Sequence, residues 1–457
     1  MRRPHGWSLL LALAISCSLP VSRTHGADVD DASLSPEQRV TLQVAVELLE
    51  HFQTQRFDGV VAMLAPAVRT QLNAEALAGV RTQLVSVFGA PTGERDKPRF
   101  DQVGDLHRVT IPIHHERGIL DFVVAVDVDT RQVHGLFFLN PRLREQAPPP
   151  AYADTTRFKE QQVLLTGDLP LSGVLAMPEG DGPFPAVVLV HGSGPHDFDQ
   201  TIGPNKPFRD LAWGLASRGI AVLRYNKRTH SHPQAFSDAP FTVQEETVED
   251  VLHALRLLRG MQRIDADRLY VLGHSHGGML GPRIVEQTKV GVAGLIVLAG
   301  PTRPLDELIP EQLAHIAQVD REQAPQIEAM LPKLQEELAQ IRALTDADRQ
   351  RKDLLLNVPP AYWLDLRGYD PVAAARKSEL PMLILQGGRD YQVTEADFAR
   401  WRKLAEERQG VTIRRYDNLN HLFMPGEGVS TPAEYHRLNH VDAQVVTDIA
   451  QWITARP

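Results

Sequence analysis

The spacing of apolar positions changes along the chain, and each change predicts a different structure. Between residues 35 and 88 the period is helical. Ser35-Pro36-Glu37-Gln38 reads as a helix start, with a capping hydroxyl, a proline in the first position and a glutamine three residues after the cap. Val40, Val44, Leu48 and Leu49 keep one face, and further helices are predicted around Val60 to Leu64 and Ala74 to Phe88. Then the period drops to two. Val109, Ile111 and Ile113 alternate, as do Phe122, Val124, Val126 and Val128, and a third run ends at Leu136 to Leu139. Helices followed by antiparallel strands predict a small α+β domain over residues 33–145. The Pro148-Pro149-Pro150 run makes residues 146–154 a stiff linker.

From residue 155 a third pattern begins. A hairpin pairs Gln162–Leu165 with Ser172–Met177 and turns at Gly167-Asp168. Short uniform apolar runs follow at Ala186–Val190, Ile220–Leu223, Leu269–Leu272, Leu295–Leu298, Met382–Leu385 and Val411–Ile413. Helices separate them, including Phe208–Ser217 and Thr247–Arg259. This alternation predicts an α/β domain over residues 155–457, with a doubly wound, mostly parallel sheet covered on both faces. Residues 302–378 interrupt it with charged helices whose apolar stripe is Ile327, Met330, Leu334, Leu338 and Ile341. Lying between two strands, the insertion is placed as a lid over their carboxyl ends, where such sheets collect their chemistry.

Composition narrows the function. A chain of 457 residues exceeds one ordinary core. The formal charge is −9, and no Lys/Arg cluster is present, which excludes a nucleic-acid binder. The first 26 residues read as an export signal: Arg2 and Arg3, the apolar core Trp7–Leu19, and small residues before Ala27. That core is too short to span a bilayer as a mature helix; the alternative is a membrane anchor. Cys17 is the only cysteine, and Ala14-Ile15-Ser16 fits a lipidation signal poorly. The cleaved chain is therefore expected in the periplasm or secreted, with no disulfide and no thiolate chemistry.

Gly273-His274-Ser275-His276-Gly277 is a G-x-S-x-G pentapeptide between a buried strand and a helix. A sharp strand-to-helix turn strains its central residue and needs small residues two positions away. It would present the Ser275 hydroxyl as a nucleophile and aim the His276 N–H at a developing oxyanion. Such a serine needs a base, and the base needs an orienting carboxylate, in the chain order Ser, acid, His. Asp390 follows the strand and glycine turn of Leu383-Ile384-Leu385-Gln386-Gly387-Gly388-Arg389. Its rivals Glu395 and Asp397 fall in the next helix. His421 closes Tyr416-Asp417-Asn418-Leu419-Asn420, and its rivals His436 and His440 are placed in a final helix. A second oxyanion donor is expected in His191-Gly192-Ser193-Gly194-Pro195, at the Ser193 N–H or else that of Gly194, with His191 tying the loop down.

Together HGSGP, GHSHGG, LQGGRDYQV and NLNHLF resemble the α/β-hydrolase superfamily, and more narrowly bacterial acyl-ester hydrolases with a small domain in front. The resemblance covers residues 155–455 and implies the α/β-hydrolase fold with a helical lid. It matches Ser275, Asp390 and His421 to the triad, and Ser193 and His276 to the oxyanion positions. It implies a small-molecule ester as substrate and no cofactor. Two departures bear on substrate preference: His276 stands where a leucine-like or acidic residue is usual, and Phe198 where an arginine is common. Pro282 implies that the helix after the elbow is kinked or starts late.

Other readings stay open. A serine peptidase would need an acid for a substrate amine, and Glu245, Glu246 and Asp365 are available, though surface charge is the simpler reading. A thioesterase would use the same chemistry. A metal site could draw on His191, His196, His274, His276 and His421, or on His230 and His232, but no metal is expected because the first five belong to acyl-transfer motifs. An inactive binding module would not need the full set of parts. His114-His115 reads as surface. Tyr362 and Trp363 either wall an acyl pocket or form the lid's own core. Oligomeric state is not encoded legibly.

Overall fold

The computed structural model describes residues 34–455 apart from residues 70–71, 117, 144–147, 237–238 and 322. The export signal read at residues 1–26, with Cys17, lies outside them. The chain divides into two units between residues 146 and 147.

The first unit opens with the helix Pro36–Gln53, fixed by a reciprocal cap. Ser35 Oγ accepts from the Gln38 N–H at 3.2 Å, and Gln38 Oε1 accepts from the Ser35 N–H at 2.9 Å. Helices Phe57–Met63, Pro66–Arg69 and Ala74–Phe88 follow. Then come strands β1 (Pro91–Arg95), β2 (Arg99–Val103), β3 (Leu106–His115), β4 (Gly118–Val126) and β5 (Val133–Leu143). They form an antiparallel sheet in the order β1-β3-β4-β5, with β2 also on β3. Val44, Leu48 and Phe52 of the first helix pack with Val109, Ile111, Phe122 and Val124, the alternate residues of β3 and β4. His115 is not a surface residue. It is buried at the end of β3, where Nδ1 meets Gly89 O at 3.0 Å beside the Phe88 ring. His114, on the opposite face, lies between Glu94 and Asp96.

The second unit holds β6 (Phe158–Leu165), β7 (Leu171–Pro178), β8 (Phe184–Val190), β9 (Ala221–Tyr225), β10 (Ile264–His274), β11 (Gly294–Leu298), β12 (Met382–Gly387) and β13 (Val411–Tyr416). Their order is β13-β12-β11-β10-β8-β9-β7-β6. The five strands from β13 to β8, and β9 beside them, run parallel; at one edge β7 is antiparallel to β9 and β6 is antiparallel to β7. Both faces are covered, because consecutive residues of a strand point to opposite sides. Val188 and Val190 join one core with Leu255 and Leu280, while Val187 and Leu189 join the other with Leu215 and Ile449.

The insertion between β11 and β12 contains helices Leu305–Val319, Ala324–Ala343, Pro360–Leu366 and Pro371–Lys377. Ile327, Leu334, Leu338 and Ile341 are buried along one stripe. Asp397 anchors the start of the insertion by accepting from the N–H groups of Thr302 at 2.7 Å and Arg303 at 3.0 Å. One further sequence expectation needs correction. The last helix starts only at Ala443, behind the capping side chain of Asp442, so His436 and His440 precede it. The helix His276–Gln287 starts immediately after Ser275 and runs through Pro282. Beside the proline, Tyr369 Oη accepts from the Arg283 N–H at 3.2 Å and donates to Met279 O at 3.0 Å, bridging the donor and acceptor of one helical turn.

Candidate active site

Strands β8, β10, β12 and β13 each end in a loop that carries one of the expected groups, and four of the sheet's parallel strands thereby deliver them to one edge. At the end of β10, Ser275 adopts φ 54° and ψ −121°, a left-handed region that non-glycine residues avoid at a cost of about 1–3 kcal/mol. Its N–H is held by Leu298 O of β11 at 2.8 Å. The flanking glycines are required by space rather than by φ. A Cβ on Gly273 would overlap the Gly277 backbone, and one on Gly277 would overlap the carbonyls of Val190 and His191. His276 is the first helical residue, so its N–H has no partner within the helix.

Asp390 follows β12. Its side chain is buried, and Oδ1 accepts from the N–H groups of Gln392 at 2.8 Å and Val393 at 3.0 Å. Oδ2 accepts from Gln386 Nε2 at 3.1 Å and faces His421 Nδ1 at 2.7 Å. That contact fixes the tautomer, with the proton on Nδ1 and the lone pair on Nε2. His421 sits in a turn braced by Asn420, whose Oδ1 accepts from the N–H groups of Leu422 and Met424 at 3.0 and 3.2 Å. No hydrogen bond joins Ser275 Oγ to His421 among the described residues; such bonds shorten when substrate binds.

The loop after β8 passes close to the serine. A Cβ on Gly192 would stand 3.3 Å from Ser275 Cβ. His191 Nε2 meets Asp197 O at 3.0 Å and His196 Nε2 meets Ser193 O at 2.8 Å, which shapes the loop. Gly192 N–H is consumed by Gln200 Oε1 at 2.9 Å, whereas Ser193 and Gly194 are exposed.

Gln200 also donates through Nε2 to His274 Nδ1 at 2.9 Å, and His274 Nε2 donates to His421 O at 2.9 Å. This buried chain ties the loops of β8, β10 and β13 together. Burial, reinforced by nearby His421, pushes His274 down to about 3, so it stays neutral with its proton on Nε2. Burial likewise pushes His276 down to about 4 and His196 to about 4.

Sequence reasoning missed Gln200 and Lys227, and it misplaced Glu246. Glu246 is buried rather than a surface charge: Oε1 pairs with Lys227 Nζ at 2.7 Å and Oε2 accepts from Tyr362 Oη at 3.2 Å. Glu245 accepts from Thr242, and Asp365 forms a two-bonded pair with Arg283 at 2.9 Å. Tyr362 belongs to the main core and touches His276 at 3.5 Å, and Trp363 donates to Leu355 O at 2.9 Å. Lys227 and Arg228, just past the carboxyl end of β9, pair with Glu246 and Asp250, contacts that appear only in the fold. His191, His196 and His274 are engaged in the loop hydrogen bonds, whereas His276 Nε2 is buried without a hydrogen-bond partner among the described residues. Among the described residues no group of three or more His, Cys, Asp or Glu is placed to hold a metal ion. A cleft of about 580 Å³ opens beside Asp390, with His315, Arg389, Tyr391 and Val429 in its walls.

Comparison with known proteins adds to this geometry. A family model described as "Alpha/beta hydrolase family" matches residues 187–438. Esterase EstD of Thermotoga maritima is 37% identical over 413 residues, covering 90% of this chain and 95% of that protein. Acylamino-acid-releasing enzyme 1 of Oryza sativa subsp. japonica is 30% identical over 142 residues, 31% of this chain and 17% of that one. The solved Pyrococcus horikoshii acylaminoacyl peptidase aligns with a TM-score of 0.44 at 15% identity, covering 79% of this chain and 55% of that chain.

Proposed function

The chain belongs to the alpha/beta hydrolase family, and on that premise we propose that it hydrolyses carboxylic esters through an acyl-enzyme formed on Ser275. One observation carries the reading: a buried Asp390–His421 pair at 2.7 Å on the same sheet edge as a serine held in a strained, outward turn. Likeness to an esterase along nearly the whole chain supports ester over other acyl substrates.

Ser275 Oγ attacks the ester carbonyl while His421 Nε2 takes its proton. Asp390 keeps the imidazole in the required tautomer and stabilises the cation that forms. The carbonyl π electrons move onto oxygen, and the N–H groups of Ser193 and His276 receive that oxyanion. His421 then protonates the leaving alcohol. Water, deprotonated by the same imidazole, frees the acid and regenerates the serine. No step draws on a cofactor or metal.

Glu245, Glu246 and Asp365, the acids a peptidase reading would draw on for a substrate amine, are engaged within the protein, which favours the ester reading. The Arg2-Arg3 start and apolar Trp7–Leu19 core support export of this enzyme. No helix of the described residues is long and apolar enough to cross a membrane.

The test is turnover of nitrophenyl esters of increasing chain length alongside aminoacyl anilides. Ester hydrolysis with negligible anilide cleavage is expected. Anilide cleavage faster than any ester would overturn the reading.

A further inference from the structure

The peptide linking Gly192 to Ser193 contributes two groups to the site. Its N–H, on Ser193, is the second oxyanion donor in the mechanism above. Its C=O, on Gly192, accepts a hydrogen bond from Lys227 Nζ at 3.1 Å. The two groups belong to one resonant plane, so a cation at the oxygen draws electron density away from the nitrogen and makes the N–H a stronger donor. A bond from a charged donor is roughly twice as strong as a neutral one.

Lys227 is built for this position. It is only 2% exposed, and it stands immediately before the short helix Arg228–Ser231, just after β9. Its own N–H donates to His196 O at 3.0 Å, in the same loop as Ser193. Glu246 Oε1 fixes the ammonium at 2.7 Å. Glu246 lies on a single wide helical turn, Gln244–Val248, and its second oxygen accepts from Tyr362 of the lid at 3.2 Å and from Thr247 at 3.1 Å. Burial acts to raise the Glu246 carboxyl and is the largest single influence, but the charge of Lys227 together with His276 and the hydrogen bonds from Lys227 and Thr247 holds the group below its ordinary value. Stability alone is a poor reason for such a pair. Buried ion pairs are commonly neutral or unfavourable relative to apolar residues of the same volume.

We propose that Lys227 is a positioning residue of the oxyanion hole: its buried ammonium, fixed by Glu246, orients and polarises the Gly192–Ser193 peptide so that the Ser193 N–H binds the oxyanion more tightly than the ground-state carbonyl. This rests on the ester-hydrolase reading. It assigns a role in turnover to residues that never touch the substrate.

The experiment uses the full chain and two variants, Lys227→Met and the doubly neutral Lys227→Met with Glu246→Gln. Three quantities are read: kcat and KM on a nitrophenyl ester, the Ki of a trifluoromethyl ketone, and the Ki of the matching methyl ketone. The fluorinated ketone gains a bond to Ser275 Oγ, its carbonyl oxygen becomes the oxyanion and the serine proton passes to His421. The methyl ketone stays a carbonyl. We expect kcat to fall about 10- to 100-fold, less than or equal to the loss of a whole donor, with KM within about threefold. The fluorinated ketone should weaken by the same factor as kcat/KM, and the methyl ketone should not weaken. Unchanged kcat, or equal weakening of both ketones, overturns the proposal. Where the methionine variants do not fold, Lys227→Gln with Glu246→Gln, which keeps a neutral donor, is read against the same outcomes. Ser275→Ala separates the two claims. If it still hydrolyses the ester, the hydrolase reading fails; if it is inactive while the Lys227 variants match the wild type, only this inference falls.

Discussion

The unit ending near residue 146 and the unit after it bury apolar side chains alike, but they differ in where polar groups go. In the first, the described buried polar residues are Thr41, His115 and Asp121, set around a core of Val44, Leu48, Phe52, Ile111 and Phe122. In the second, Gln200, Lys227, Glu246, His274, His276, Asp390, Asn420 and His421 are all buried close to the ends of β8, β9, β10, β12 and β13 or on segments packed against them. Burying a polar group is costly unless each hydrogen bond is replaced. The second unit buries other polar groups too, such as Ser217 and Asp448, but the cluster at one sheet edge fits the site proposed there, whereas the first unit buries few polar side chains among its described residues.

The comparison can be broken at several points. Ser275→Ala or His421→Ala should lower ester turnover by about four orders of magnitude or more, and Ser275→Ala should do so with the melting temperature nearly unchanged. Near-normal kcat in either would remove the chemistry from that edge. Phe122→Ala, in the apolar core of the first unit, should cost about 3–5 kcal/mol of stability, measured by denaturant unfolding. A fall in turnover per folded molecule, without lost stability, would contradict its role as packing. Gln200→Leu removes both the Gly192 acceptor and the His274 donor. It should reduce kcat about tenfold or more and cost about 1–3 kcal/mol for each buried group left unpaired. Stability loss without a kcat effect would make that chain merely structural.

The smallest expected effect is the dependence on acid. His274, His276 and His196 are held neutral in the folded state, at about 3, 4 and 4, against an ordinary value of 6.5. Below about pH 6.5 the unfolded chain binds protons that the folded one refuses, so their contribution is complete above that pH and is lost as the pH falls toward 4. The first unit has one buried histidine shifted downward in this way, His115. Of the five tryptophans, Trp213, Trp363, Trp401 and Trp452 lie in the second unit and Trp7 in the segment read as an export signal, so in the chain cleaved after residue 26 their fluorescence follows the second unit's melting alone. The tryptophan-detected melting temperature should fall between pH 7 and pH 5. A constant or rising value would contradict the buried neutral histidines.

How much of this was readable depended on how local the cause is. Gly273 and Gly277 were legible because the clash that excludes side chains there arises within the turn and the neighbouring strand. Asp390 and His421 were legible because each lies a few residues after a strand with an apolar run, Met382–Gly387 inside the sheet and Val411–Tyr416 at its edge. Lys227 and Glu246 were not, since a charged residue is ordinarily exposed and its burial depends on a partner in another element. Gln200 was equally hidden. A left-handed glutamine at φ 50° leaves no mark in composition, and its partners Gly192 and His274 meet only in the fold. Strand ends were also blurred: β10 begins at Ile264 rather than Leu269, because the polar Asp265–Arg268 segment carries no apolar signal.

The central claim, an acyl-enzyme on Ser275 activated by His421, is tested most directly by mass spectrometry after a fluorophosphonate probe. The account predicts one adduct per chain, mapped to the peptide containing Ser275, absent in Ser275→Ala and formed far more slowly in His421→Ala. Stoichiometric labelling at another residue, or an unlabelled Ser275 in enzyme that still hydrolyses esters, would contradict it.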